Sequence, residues 1–195
     1  TALREWRLLA EQGDSDAQYS LGHMYRMGEG VSQDYKTAVK WYTLSAEQGY
    51  DYAQNNLGLM YLLGSGVSQD YKTAVKWFRL AAEQGDFDSQ TSLGYMYSEG
   101  LGVLQDYKTS MKWFKLAAEQ GDAGAMYNIG LMYYYGQGVI QDNVYAHMWI
   151  NISASNGDED GVIARDIIEK EMSSADISQA QNLARECVAK NYIDC

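Results

Sequence analysis

The four residues Ala-Glu-Gln-Gly begin at Ala10 and recur at Ala46, Ala82 and Ala118, with a degenerate Ala-Ser-Asn-Gly at Ala154. The interval is 36 residues each time. A fixed period of about 20–50 residues marks a stack of supersecondary units, none of which can bury its apolar face alone. Such a chain grows by adding units and does not close a spherical core, so its length says little about domain number. It also points to binding rather than chemistry, because a stack offers an extended surface before it offers a cleft.

Within each period one apolar stripe has helical spacing. Leu21-Gly22-His23-Met24-Tyr25 aligns with Leu57-Gly58-Leu59-Met60-Tyr61, Leu93-Gly94-Tyr95-Met96-Tyr97 and Ile129-Gly130-Leu131-Met132-Tyr133. Small residues precede each stripe by one turn at Ala17, Ala53, Ser89 and Ala125. These define the first helix of a unit. Glycine inside a helix costs about 1 kcal/mol against alanine. Four copies at one register therefore predict close approach of a neighbouring helix backbone. Each first helix ends in Gly-x-Gly-Val, at Gly28, Gly64, Gly100 and Gly136. No strand precedes this tetrad and no Lys-Ser/Thr follows, so it is a helix stop and turn, not a phosphate loop.

Asp34, Asp70, Asp106 and Asp142 stand as N-caps of a second helix, and Asp14, Asp86, Asp122 and Asp158 cap the next first helices. In the second helix Ala38, Trp41, Leu44 and Ser45 form the expected apolar stripe, with Lys36 and Lys40 exposed. The methionine column and the tryptophans are expected to fill the core. Residues 1–12 match only a second helix, with Trp6 in the column of Tyr42, Phe78, Phe114 and Ile150. Full units follow at 13–48, 49–84, 85–120 and 121–156. Over 157–195 the pattern decays into capping helices, one carrying Val162, Ile163, Ile167 and Ile168. The other, opened by Ser173 and Asp176 in capping-box form, carries Ile177, Ala180, Leu183, Ala184 and Val188. The reading is a single all-α solenoid.

The composition fits a packed, helical chain: 46% hydrophobic, 13% aromatic, no proline and a net charge of -11. The negative charge argues against nucleic acid and anionic membrane surfaces, which need clustered Lys and Arg. No apolar run approaches the roughly 18 residues of a membrane-spanning helix. The chain starts at Thr1 without methionine, so an upstream segment is to be expected in one of several forms.

The residues Ala53 to Gly85, and nearly as well Ser89 to Gly121, resemble the Sel1-like repeat family, a relative of the tetratricopeptide repeat. They follow its pattern of Ala-x-x-x-Leu-Gly-x-x-Tyr-x-x-Gly-x-Gly-Val, then Asp-x-x-x-Ala-x-x-Trp-Tyr/Phe-x-x-Ala-Ala-x-x-Gly. The fourth unit departs at Asn143-Val144-Tyr145-Ala146-His147-Met148-Trp149. The resemblance implies a right-handed α/α superhelix that acts as an adaptor for peptides or protein domains, with no cofactor, in proteins that are often exported from bacteria. It therefore implies a periplasmic or secreted location, with the cytoplasm as the alternative.

In the related tetratricopeptide arrangement the first helices line a concave face, and positions three before, one after and four after the helix glycine point inward. Carried over, these columns are Tyr19, Asn55, Thr91 and Tyr127; His23, Leu59, Tyr95 and Leu131; and Arg26, Leu62, Ser98 and Tyr134. They vary while the packing columns repeat, as a surface tuned to a protein or peptide partner would. Asn128, with Ser20, Asn56 and Ser92, supplies side chains able to bond a peptide backbone. The bland alternative is that these residues pack between neighbouring units. A second functional class is a structural subunit that makes contact through its ends or convex face.

Catalytic constellations are lacking. His23 and His147 are too few and too far apart for a metal site. One branch of the family has been discussed as binding penicillin-like compounds, but no Ser-x-x-Lys occurs. Thr37-Ala38-Val39-Lys40 comes nearest, on the outer helix, which leaves a weak β-lactam hydrolase as a distant third reading. Asp158, Glu159 and Asp160 beside Gly157 read as capping. Cys187 and Cys195, about 12 Å apart along one helix, bond only if that helix ends near Lys190. Asn191 is a plausible left-handed cap, letting Tyr192-Ile193-Asp194 fold back. Free thiols on a frayed tail are the alternative.

Overall fold

The computed structural model describes residues 2–193 and 195; Thr1 and Asp194 lie outside the described residues. Among the described residues the regular elements are all helical. They are α1 (Ala2–Glu11), α2 (Ser15–Met27), α3 (Tyr35–Glu47), α4 (Asp51–Leu63), α5 (Tyr71–Glu83), α6 (Phe87–Glu99), α7 (Tyr107–Ala118), α8 (Ala123–Tyr135), α9 (Asn143–Ser155) and α10 (Glu159–Ile168), then a 3-10 turn (Glu169–Glu171) and α11 (Ser174–Ala189). The fold class is the expected one, all-α, built from helix-turn-helix units. The chain divides into two compact bodies, Thr1–Ser89 with Leu101–Leu104, and Gln90–Gly100 with Gln105–Cys195.

Caps set the helix boundaries. Asp34 Oδ1 accepts from the backbone N–H of Lys36 and Thr37, while Oδ2 accepts from the Thr37 hydroxyl at 2.7 Å. Asp70 and Asp106 repeat the arrangement, and Asp142 keeps its backbone half. This satisfies the orphan donors at each helix start. Tyr50 breaks the pattern on the first helices, because its side chain makes no cap. At the other end Gly28 adopts φ 77° and its N–H bonds the Met24 carbonyl. The loop glutamines then cover carbonyls of the last turn: Gln33 Nε2 donates to Arg26 O at 2.9 Å and Gln69 Nε2 to Leu62 O at 2.7 Å. The second glycine of the tetrad is needed for a tertiary reason as well. A Cβ on Gly66, at φ 75°, would lie 2.5 Å from the Tyr35 carbonyl, so the turn of one unit rests on the second helix of the unit before it.

The helix glycines are explained first by a side chain; the expected approach of a neighbouring helix backbone is seen at Gly130, where a Cβ would also lie 3.1 Å from Ala146 O. A Cβ on Gly22 would meet the Tyr42 ring at 2.6 Å, on Gly58 the Phe78 ring at 2.8 Å and on Gly94 the Phe114 ring at 2.5 Å. On Gly130 it would meet Ile150 at 2.4 Å. All four partners are fully buried, and each such side chain contributes about 1.5–3 kcal/mol by burial. The second helix therefore buries Ala38, Tyr42, Ser45 and Ala46, while Leu44, expected inside, is 45% exposed on the opposite face. Trp149 and Trp77 are buried as expected, but Trp41 and Trp113 are half-buried and Trp6 is exposed.

The glutamine of the repeated phrase closes a ladder between units. Gln48 Nε2 donates to Gln18 Oε1 at 2.7 Å, and the buried Gln18 Nε2 reaches back to Ala10 O at 3.1 Å. Gln84 with Gln54, and Gln120 with Gln90, repeat the contact. In the fourth unit Asn156 and Met126 replace both partners. At the C-terminal end α10 buries Gly161 and Ile168, leaving Val162, Ile163 and Ile167 exposed against expectation. On α11 Val188 is likewise exposed, and Ala180, Ala184 and Cys187 turn inward. The helix ends at Ala189, Asn191 and Tyr192 take positive φ of 51° and 65°, and Cys187 and Cys195 are disulfide-bonded with their Cα atoms 5.5 Å apart.

Candidate binding face of the first helices

In the first body the face is built by α2 and α4. Tyr19 is half-buried, its ring centroid 5.2 Å from Tyr50, 5.8 Å from Tyr42 and 6.2 Å from Tyr52. Burial raises the Tyr19 phenol above its ordinary range. It also pushes Tyr42 up to about 12, an effect that the Arg26 cation beside the phenol partly offsets. Tyr50 rises to about 12 through burial and then through its hydrogen bond to Asp16. His23 is half-buried, with Nδ1 3.9 Å from a Glu29 carboxylate oxygen. Asn55 departs from expectation: it is 7% exposed and its Oδ1 accepts from the Ser89 hydroxyl at 3.0 Å, so it ties α4 to the start of α6.

Arg26 and Leu59 converge on a cavity of about 340 Å³, walled also by Met27, Tyr35, Asn56 and Leu63. Leu62 is half-buried beside it and contributes its carbonyl to the Gln69 cap. The walls Met27 and Leu63 were not among the expected residues. They share the column before the stop glycine, where Glu99 and Tyr135 are the other occupants, so their variation was the available signal.

In the second body the columns divide differently. Thr91 donates to Asp122 Oδ1 at 3.1 Å, the same oxygen that caps α8. The Ser98 hydroxyl donates to Tyr95 O at 2.8 Å, and Asn128 Nδ2 donates to Gly124 O at 2.7 Å, each within its own helix. Tyr127, Leu131 and Tyr134 pack on the cluster of Ala146, Ile150 and Ile168, where α9 and α10 meet. The Tyr134 phenol donates to Glu171 at 3.0 Å, which raises its pKa, with burial a smaller cause. Tyr95 alone of the expected tyrosines there is strongly exposed, at 48%.

One rule covers both bodies. The column three before the glycine meets the next unit in every copy: Tyr19 on Tyr50, Asn55 on Ser89, Thr91 on Asp122 and Tyr127 on the cluster where α9 and α10 meet. These side chains pack between units; of the other two columns Leu131 and Tyr134 also pack on their neighbours, which leaves Leu59 and Arg26 at the cavity and Tyr95 exposed. Elsewhere His147 is fully buried, Nε2 2.9 Å from Glu169 and Nδ1 without a partner. Among the described residues no group of three or more His, Cys, Asp or Glu is placed to hold a metal ion, and no helix is long and apolar enough to cross a membrane.

The Sel1 repeat profile matches residues 15–50, 51–86, 87–122 and 123–158. The chain belongs to the Sel1 repeat family. Among solved structures it is similar to a protective antigen present in uropathogenic Escherichia coli strains that displays an SLR fold, with 42% identity and a TM-score of 0.83 over 93% of this chain and 40% of that one. It is also similar to a Sel1 repeat protein from Oxalobacter formigenes, with 37% identity and a TM-score of 0.73 over 82% of this chain and 71% of that one. The chain thus spans two fifths of the length of the first of these relatives. Comparison with curated proteins finds no match. Sel1 repeat proteins generally act in protein–protein interaction.

Proposed function

We propose that this Sel1 repeat chain is a non-catalytic scaffold that binds a peptide or protein partner on the first-helix face of its first body. The observation that carries the reading is the Arg26, Asn56, Leu59 and Leu63 cavity. It joins apolar walls to a guanidinium and an amide, the mixture that orients a ligand while burying it. Leu63 is 69% exposed beside it, an anchor awaiting cover. In the second body Tyr95 is exposed in the corresponding column. The disulfide supports a periplasmic or secreted setting, since such bonds persist in oxidising compartments.

Partners recovered from the native source with the wild-type chain supply the test. Leu59→Glu is expected to abolish recovery of a partner that Leu116→Glu, on an exposed outer-helix position, leaves bound. A partner retained by Leu59→Glu sinks the reading. Loss on Ile163→Glu instead would favour a structural subunit joined through the exposed Val162, Ile163 and Ile167 of α10.

A further inference from the structure

In the first body the Nε of Arg26 is buried and has no acceptor. Arg26 lines the 340 Å³ cavity, and its guanidinium lies beside the phenol of Tyr42, which is fully buried and is not one of the cavity walls. Among the described residues Arg26 makes no ion pair, although the chain carries 26 acidic residues against 15 basic ones. A buried guanidinium nitrogen left without an acceptor is costly. It is a donor on a cationic group, so an acceptor-only anion entering the cavity would satisfy it. A carboxylate is that group, and a cation is repelled.

We infer that this cavity binds the side chain of a glutamate in an internal segment of a partner peptide, its carboxylate on Arg26 and a neighbouring apolar residue against Leu59 and Leu63. The inference rests on the binding-face reading above and names its ligand chemistry. One guanidinium supplies a single positive charge, which matches a monoanion. A phosphate dianion would leave net negative charge between apolar walls in a chain of net charge -11. The unpartnered Nε is buried, so the carboxylate must reach inward on a stem. Glutamate has two methylenes that lie against apolar walls, whereas a terminal carboxylate sits on the main chain and would drag peptide groups in with it. Asn56 lies at the same cavity; its Nδ2 is held by Tyr52 O at 2.8 Å, which leaves its oxygen to accept from a peptide N–H.

The test uses the full chain and an array of 12-residue peptides, N-acetylated and C-amidated, with a companion set bearing free C-termini. Binders are remeasured by fluorescence anisotropy. The expected binders carry glutamate beside Leu, Ile or Met. Glu→Gln in the peptide weakens binding tenfold or more, Arg26→Met removes that difference while retaining the apolar preference, and Arg26→Lys keeps part of it. Should Arg26→Met fail to fold by circular dichroism, the peptide swap and Arg26→Lys still decide. Peptides that bind and are lost with Leu59→Glu, yet show no Glu/Gln difference, overturn the carboxylate inference and leave the binding face standing. Binding confined to free C-termini, or tighter binding with phosphoserine at the glutamate position, overturns the choice of a side-chain monoanion. No binder at all, or binders that Leu59→Glu retains, overturns the inference and the binding face together.

Discussion

Alanine at Gly94 isolates what the repeated glycine does. In an exposed helix the change would stabilise by about 1 kcal/mol through propensity. Here the new methyl would lie 2.5 Å from Phe114 Cδ1 and 2.6 Å from Cε1, and the ring is 1% exposed with buried neighbours around it. Forcing extra volume into such a site costs about 1–3 kcal/mol, and a contact this short at a pinned ring lies towards the upper end. The net expectation is destabilisation of about 1–2 kcal/mol, or roughly 2–8 °C in Tm for a chain of this size. Gly124→Ala is the control: on the first turn of α8 its Cβ meets only Asp122 Oδ1 at 3.5 Å, and its Tm should hold or rise. Thermal melts of Gly94→Ala, Phe114→Leu and the double variant complete the cycle. If the ring is the obstacle, the double variant is more stable than the sum of the singles predicts. A Gly94→Ala melt at or above wild type, or strict additivity, refutes the ring as the reason for glycine.

Other outcomes follow from the same contacts. Gln54→Leu should cost about 1–3 kcal/mol in denaturant titration, since it removes two hydrogen bonds at about 0.5–1.5 kcal/mol each, to the Ala46 carbonyl and from the Gln84 amide. Asp34, Asp70 and Asp106 are held below the usual carboxylate value of 3.8, first by the Thr37, Thr73 and Thr109 hydroxyls. A depressed folded pKa means stability present above about pH 4 and lost as pH falls through the folded values. Melts between pH 5 and 2 should show this slope, flattened in a triple Thr→Val variant. Tyr42 and Tyr50 titrate near 12 when folded against 10 when unfolded, so their contribution is complete below pH 10 and lost as pH rises through 12. Absorbance at 295 nm should follow it, with Tyr42→Phe removing one late phenol. Reduction of Cys187–Cys195, a loop of sequence separation 8, should lower stability by up to about 2.5 kcal/mol and release two titratable thiols.

Much of this was legible in the residues. Caps are local: Asp34 bonds groups two and three residues away, and Gly28 stops α2 through its own φ, so position alone announces them. Partner choice is not local. Asn55 and Leu59 both looked like surface residues on one helix, but Ser89 on the following helix claimed the first. Tyr134 looked free until the turn holding Glu171 was folded against it. The expected backbone approach at the helix glycines proved to be chiefly a side chain 20 residues downstream, a ring at Gly22, Gly58 and Gly94 and Ile150 at Gly130, a distinction that periodicity cannot make, because both readings need the same glycine.

The 36-residue period and its caps by themselves determined that this chain makes helix-turn-helix units, because every contact they rely on lies within a few residues along the backbone. Which variable columns are left for a partner, and that the buried Nε of Arg26 is left without an acceptor, was decided only when successive units packed. Burial and hydrogen-bond pairing depend on neighbours that the chain brings together across 30 or more residues.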